Sequence, residues 1–484
     1  MTEVEVIEGT LRGLQEGDLT VFRGIPYASA PHFGAPRAAG KWVGVRPALA
    51  FGPPPPQSEM LGPSAPTTGD NWLTLNVWSP SPDRAAKLPV LVWIYGGGYA
   101  FGSAARPEYD GSRLAREGQV VLVTFNYRLG VEGFTQVAGA PPNRGLLDQV
   151  AALEWVRDNI AAFGGDPARV TVFGESAGGG SVAALLAMPR AAGLFRRAIA
   201  QSVPGTFFSE PLAADIATAI AGELGLRATV TDLAEADPEL LTAAGDEVAA
   251  KIGERAARWG QAAHGSIPFA PVIDGDVLPV TPWQALASGA ARDIDLIAGH
   301  TRDEQRLLSA LTGLLGQVTP AQAAEARQIF APGPRAYEDA TPDQQYELVH
   351  SDWLFRMPSL HLAEAQVAGG GRAYLYELAW NAPGMGGTLG ACHGLDVPLV
   401  FGNLTAGQPA MLIGDSPEAE PLSAEFRAAW TAFAASGDPG WPAYDPDQRL
   451  TRVFDSPSTV TAYPEDYSRA IWRDYPFAPL PLLT

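Results

Sequence analysis

Ser176 stands in the segment Val170-Thr171-Val172-Phe173-Gly174-Glu175-Ser176-Ala177-Gly178, where an apolar, β-branched run breaks into a glycine-flanked turn. A serine hydroxyl can attack an acyl carbon when a sharp strand-to-helix turn lifts it clear of a sheet. The turn needs small residues on both sides, because the backbone folds tightly and the next helix packs close. Gly174 and Gly178 lie two residues before and after Ser176, and Ala177 and Gly179 keep the crowding low. Residues 181–188 read as the following helix, whose start favours negative charge near the serine.

Acyl transfer also needs hydrogen-bond donors aimed at the oxygen that becomes an anion. The apolar run at 90–94 leads into Tyr95-Gly96-Gly97-Gly98-Tyr99. Three successive glycines let backbone N–H groups face a cavity with no β-carbon in the way. Gly97 and Gly98 are the expected donors, joined by the N–H of Ala177. A phosphate cradle would require a Lys-Ser or Lys-Thr pair after the glycines, and none follows.

The serine requires a general base, nearly always histidine in this turn geometry. Of the six histidines, His32 precedes the nucleophile, and His350 and His361 sit in helical stretches. His393 lies in a glycine-flanked loop, Gly390-Ala391-Cys392-His393-Gly394, after a strand-like run at 374–380. His300 follows a strand too and competes with it. A carboxylate must then orient the base, and both Asp303 and Glu304 follow the strand at 295–298. Spacing leaves both pairs of alternatives open.

The elements that would position these groups follow a simple pattern. Short apolar runs at 90–94, 120–123, 170–173 and 295–298 read as buried strands of a parallel sheet. Between the second and third, Leu146, Val150, Leu153, Val156, Ile160 and Phe163 recur at helical spacing, and Gly164-Gly165-Asp166-Pro167 ends that helix. Strand, crossover helix, strand is a βαβ unit, so an α/β fold with a mostly parallel central sheet flanked by helices is expected. Alanine-rich stretches at about 211–263 and 320–365 read as helical insertions capping the carboxyl edge, and 53–56 and 384–390 as loops. Residues 1–484 read as a single domain.

A 46% apolar and 18% charged composition fits a folded globular chain. The formal net charge of −20 opposes nucleic acid or an anionic membrane as partner. No run approaches the roughly 18 apolar residues of a membrane span, and acidic residues stand at the start where a secretory signal would be expected to carry a basic stretch and an apolar core. One cysteine, Cys392, permits no intrachain disulfide and suits a reducing, cytoplasmic setting. Beside His393 it reads as a packing residue.

Several motifs together resemble the type-B carboxylesterase and cholinesterase family of α/β-hydrolases. They include Phe22-Arg23-Gly24-Ile25-Pro26-Tyr27-Ala28, Leu73-Thr74-Leu75-Asn76-Val77-Trp78 and Asn126-Tyr127-Arg128-Leu129-Gly130. They continue through Asn143-Arg144-Gly145-Leu146-Leu147-Asp148-Gln149 and Phe163-Gly164-Gly165-Asp166-Pro167 into the serine turn. The resemblance covers nearly the whole chain and implies the α/β-hydrolase fold. It selects His393 over His300 as base and Glu304 as acid, and it implies Glu175, Ser202 and Asp396 as groups supporting the triad. The implied activity is hydrolysis of carboxylic esters through an acyl-enzyme, without metal or cofactor. Its bacterial carboxylesterase members suggest short-chain or aryl esters as the small-molecule substrate.

The chain also departs from the family pattern. Trp72 stands where many relatives have a disulfide cysteine, Gln305 replaces a glycine after the acid, and Tyr95 replaces a histidine before the glycines. From Gly52 through Gly69 there is no aromatic residue to attract a quaternary ammonium, so no choline site can be named. Two rival readings are an amidase or peptidase using the same triad, and a non-catalytic binding protein of the same fold. The latter kind loses triad members, whereas this chain keeps all three.

Overall fold

The computed structural model describes residues 1–59, 71–333 and 335–484. The stretch without aromatics falls partly on 60–70, outside the described residues. Among the described residues a 13-stranded sheet carries the fold. Twelve of its strands are β1 (Thr2–Val6), β2 (Gly9–Glu16), β3 (Leu19–Pro26), β4 (Thr74–Ser79), β5 (Leu88–Ile94), β6 (Val121–Phe125), β7 (Gly165–Glu175), β8 (Arg197–Gln201), β9 (Asp295–Thr301), β10 (Arg372–Leu378), β11 (Leu450–Phe454) and β12 (Thr459–Ala462). They lie in the order β1-β2-β3-β4-β6-β5-β7-β8-β9-β10-β11-β12, with Val45–Pro47 beside β2.

Every pairing from β6 to β11 is parallel, as the sequence predicts. β1 to β4 pair antiparallel in turn, as do β4 with β6 and β11 with β12, while Val45–Pro47 pairs parallel with β2. Parallel strands are covered on both faces, which is why Val90, Leu91, Val92 and Ile94 are all apolar and fully buried. The crossovers are helical: Arg144–Asn159 before β7, Ala177–Ala187 before β8, Met357–Ala368 before β10 and Ala419–Ser436 before β11.

The helix expected over 146–163 spans Arg144–Asn159 and tightens into a 3-10 turn at Ile160–Phe163, stopped by Gly164 at φ 83°. The helix expected from 181 begins at Ala177. Its glycines read locally as turn, yet they let the helix dock tightly on the sheet. A Cβ on Gly178 would lie 2.0 Å from the Ile94 carbonyl oxygen, and one on Gly179 2.3 Å from that of Gln201.

Residues 210–271 leave and rejoin the body through a short parallel pair, Phe208–Ser209 with Val272–Ile273. Within them Glu210–Glu223 and Pro238–Ala250 pack on each other. In the stretch 320–365, Pro320–Phe330 pairs with Pro342–Ser351. Its remainder differs from the expected cap. A π-helical turn, Asp352–Arg356, continues directly into Met357–Ala368, which packs against β9 and β10 because it is buried nearly all round.

Two of the quoted motifs hold the connection into β7. Arg128 pairs with Asp148 through Nε and Nη2 at 2.8 and 2.7 Å, both side chains being buried. Arg144 donates to the carbonyls of Glu132, Pro141, Val131 and Thr135. Breaking the Arg128–Asp148 pair by removing one partner would leave an uncompensated buried charge. No helix among the described residues is long and apolar enough to cross a membrane.

Candidate active site

β7 ends at Glu175, and Ser176 makes the turn into helix Ala177–Ala187 with φ 58° and ψ −125°. This is a strained conformation for a residue with a β-carbon, and its surroundings hold it in place. The Ser176 N–H donates to the Gln201 carbonyl at 3.0 Å, and the Gly180 N–H donates to the Ser176 carbonyl at 2.9 Å. On the other side, a Cβ on Gly96 would sit 3.1 Å from Ser176 Cβ, so the glycine loop lies directly against the nucleophile turn.

An unbroken hydrogen-bond chain leaves the serine. His393 Nε2 is 2.9 Å from Ser176 Oγ, and His393 Nδ1 is 2.5 Å from Glu304 Oε2. Glu304 immediately precedes the helix Gln305–Leu311 and is fully buried. Its Oε1 accepts from the Ser202 hydroxyl at 2.6 Å and the Thr301 N–H at 2.9 Å. Burial works to raise its pKa, but His393, Ser202 and the Thr301 N–H together hold it below the ordinary carboxylate value.

His393 is ringed by carboxylates. Glu175 Oε1 lies 3.2 Å from Nε2. Burial alone favours the neutral ring, yet Glu175, Glu304 and Asp396 outweigh it and hold the imidazole above the ordinary histidine value. Burial raises Glu175 in turn, with Asp396 and Glu304 adding to the effect against the pull of His393. Asp396 does not join the chain directly; it accepts from Gln201 at 2.9 Å and from the Tyr376 hydroxyl at 2.7 Å.

Gly97 and Gly98 have φ values of 101° and 59°, a region that penalises any β-carbon. A Cβ on Gly97 would lie 2.0 Å from the Phe101 carbonyl oxygen, and one on Gly98 2.0 Å from Ile267 Cδ1. Among the described residues no acceptor takes the N–H of Gly97 or Gly98. Ala177, the first residue of its helix, has no intrahelical acceptor for its own N–H.

The competing groups are committed elsewhere. His300 is fully buried, with Nε2 2.9 Å from the Tyr463 hydroxyl and Nδ1 3.0 Å from the Thr301 carbonyl. Burial and Arg356 push its pKa down to about 4. Asp303 points to Arg302, Arg306 and the Ala391 N–H. Burial pushes the Cys392 thiol up to about 12, far from nucleophilic thiolate.

The family departures also have a structural use. Tyr95 is fully buried and stacks on Tyr127 at 4.6 Å, beneath the glycine loop. Gln305 starts its helix, with its N–H donating to Ser351 Oγ at 3.1 Å. Trp72 is buried against His32.

Sequence reasoning missed Phe355 and Gln201. Phe355 rides on the π-helical turn and stacks on the His393 ring, with centroids 4.1 Å apart and planes at 25°. Nothing in its local pattern separates it from a core residue of a helix. Gln201, a polar residue closing the apolar strand β8, did carry a signal: it pairs with Glu175 in register and links Ser176, Asp396 and Trp430.

The carboxylesterase family model matches residues 1–460. The para-nitrobenzyl esterase of Bacillus subtilis (strain 168) is 37% identical over 482 residues, covering 95% of this chain and 96% of that protein. The fumonisin B1 esterase of Sphingopyxis macrogoltabida is 35% identical over 469 residues, covering 90% and 83% respectively. The crystal structure of the Geobacillus stearothermophilus carboxylesterase EST55 at pH 6.2 superposes with a TM-score of 0.87 at 36% identity, over 98% of this chain and 100% of that one.

Proposed function

From the premise that this chain belongs to the carboxylesterase family, and is an α/β-hydrolase acting as a serine carboxylic ester hydrolase, we propose that Ser176, His393 and Glu304 carry the reaction. The observation behind this reading is the continuous hydrogen-bond chain from the Ser176 hydroxyl through His393 to a buried Glu304. Ser176 Oγ attacks the ester carbonyl while His393 Nε2 takes its proton. Glu304 fixes the tautomer with Nδ1–H facing it and stabilises the imidazolium. The N–H groups of Gly97 and Gly98 on the glycine loop, and of Ala177 at the start of its helix, receive the oxyanion. His393 then protonates the departing alcohol. Water attacks the Ser176 ester with the same histidine as base, releasing the acid.

The substrate we assign is a small aryl or short-chain ester, supported by the likeness to the para-nitrobenzyl esterase. We place the enzyme in the cytoplasm, a reading supported by its single, buried cysteine. The test is a panel of p-nitrophenyl esters of increasing acyl length beside the matching p-nitroanilides. The expected result is turnover of the short esters at least about a thousand-fold above the anilides. Equal turnover of ester and anilide would favour the amidase reading.

The neighbouring carboxylates that stabilise the His393 imidazolium also set the pH dependence. Attack needs the neutral ring, so kcat/KM is expected to fall as pH drops through the raised folded value. The acid limb should therefore lie above about 6.5. A pH–rate profile that stays flat down to about pH 5 contradicts a histidine base in this environment.

A further inference from the structure

Asp303 would serve chemically as the acid, yet its carboxylate binds the backbone of the loop that carries His393, between Arg302 and Arg306. The two loops meet through a reciprocal pair of hydrogen bonds. The Asp303 N–H donates to the Ala391 carbonyl at 2.9 Å, and the Ala391 N–H donates to Asp303 Oδ2 at 2.9 Å. One end of this clamp adjoins Glu304, and the other lies two residues before His393. Asp303 is itself held on both sides, by Arg302 Nη2 at 3.0 Å from Oδ2 and by Arg306 Nη2 at 3.3 Å from Oδ1. Those arginines are anchored in turn, Arg302 on Asn381 at 2.6 Å and Arg306 on Glu347 at 3.1 Å. Gly390, at φ 61°, comes so close that a Cβ there would lie 2.4 Å from Asp303 Oδ2.

We propose that Asp303 is a positioning residue that fixes the separation of Glu304 and His393 by clamping the Ala391 backbone. The inference rests on the assignment of Glu304 and His393 as acid and base. Triad geometry tolerates little displacement, since about 1 Å of misplacement can cost a hundred-fold in rate. Asp303 thus acts on the reaction through the base loop, without touching substrate. Glycine at 390 is what allows the loop to come within reach of the carboxylate.

The experiment compares Asp303→Ala, Asp303→Asn and Gly390→Ala with the parent enzyme, counting active sites by stoichiometric fluorophosphonate labelling. Asp303→Ala is expected to lose 10- to 100-fold in kcat per labelled site and in labelling rate, with KM within about two-fold. Asparagine keeps an oxygen acceptor for the Ala391 N–H, so Asp303→Asn should recover to within about five-fold of the parent. Gly390→Ala leaves Asp303 in place but displaces its carboxylate, and should show the same kcat loss if Asp303→Ala does not fold. A purely structural role would lower the melting temperature while leaving kcat per site unchanged. That outcome overturns the proposal, as does an equal loss in Asp303→Ala and Asp303→Asn. Glu304→Gln run in parallel separates the two failures: if it stays active, the triad assignment fails rather than the clamp.

Discussion

Replacing His393 by alanine is expected to lower kcat by about a million-fold with little change in KM. The effect is this large because Nε2 both takes the Ser176 proton and returns it to the alcohol, and no neighbouring group can do either. Glu175 Oε1 lies 3.2 Å from Nε2, but among the described residues no hydrogen bond joins it to the Ser176 hydroxyl. The residual rate comes from the oxyanion donors and substrate binding. His300→Ala provides the contrast. Among the described residues its ring bonds Tyr463 and the Thr301 carbonyl alone, so kcat per folded molecule should remain within about three-fold of the parent. Stability should fall, because a buried hydroxyl loses its partner at a cost of about 1–3 kcal/mol. Steady-state kinetics and thermal melts of the two variants check both halves, and the reverse ranking of kcat would reassign the base.

Glu304→Gln carries the second large effect, about ten-thousand-fold in kcat. Glutamine is nearly isosteric and can still accept from Ser202 and Thr301, so the fold should survive. What changes is the partner offered to His393 Nδ1, 2.5 Å away. An amide that turns its NH2 group toward the ring favours the tautomer with the proton on Nε2, which blocks proton acceptance from Ser176. With Glu175, Glu304 is one of the charges that hold the imidazolium pKa up, so the acid limb of the pH profile should move down when it is lost. A variant within ten-fold of the parent would contradict the assignment of Glu304 as acid.

The residues that can be read from sequence are those whose chemistry leaves a local trace. β7 and the glycines around Ser176 fix a strand–turn–helix, and the glycine run after β5 marks backbone donors, because both features depend on near neighbours in the chain. The parallel sheet was readable for the same reason: strands buried on both faces are continuous apolar runs. The choice between His300 and His393 was different. Both follow strands, and only long-range packing decides that His300 turns to Tyr463 while His393 reaches Ser176. Family resemblance supplied that choice where spacing could not. Asp396, like Glu175 and Ser202, was legible as a supporting group only through the family resemblance, since the Gln201 and Tyr376 that it braces come from other segments of the chain. Phe355 left no trace, because a stacking contact with a histidine 38 positions away has no sequence period.

The central claim is that Ser176 is the acylated nucleophile. The most direct measurement is intact mass and peptide mapping after treatment with a fluorophosphonate, on the parent protein and on Ser176→Ala. One adduct is expected on the parent, mapped to the peptide containing Ser176, together with complete loss of esterase turnover. Ser176→Ala should take up no label and hydrolyse no p-nitrophenyl ester above about one part in a million of the parent kcat. Stoichiometric labelling of Ser176→Ala, or an adduct on another residue of the parent, would contradict the account.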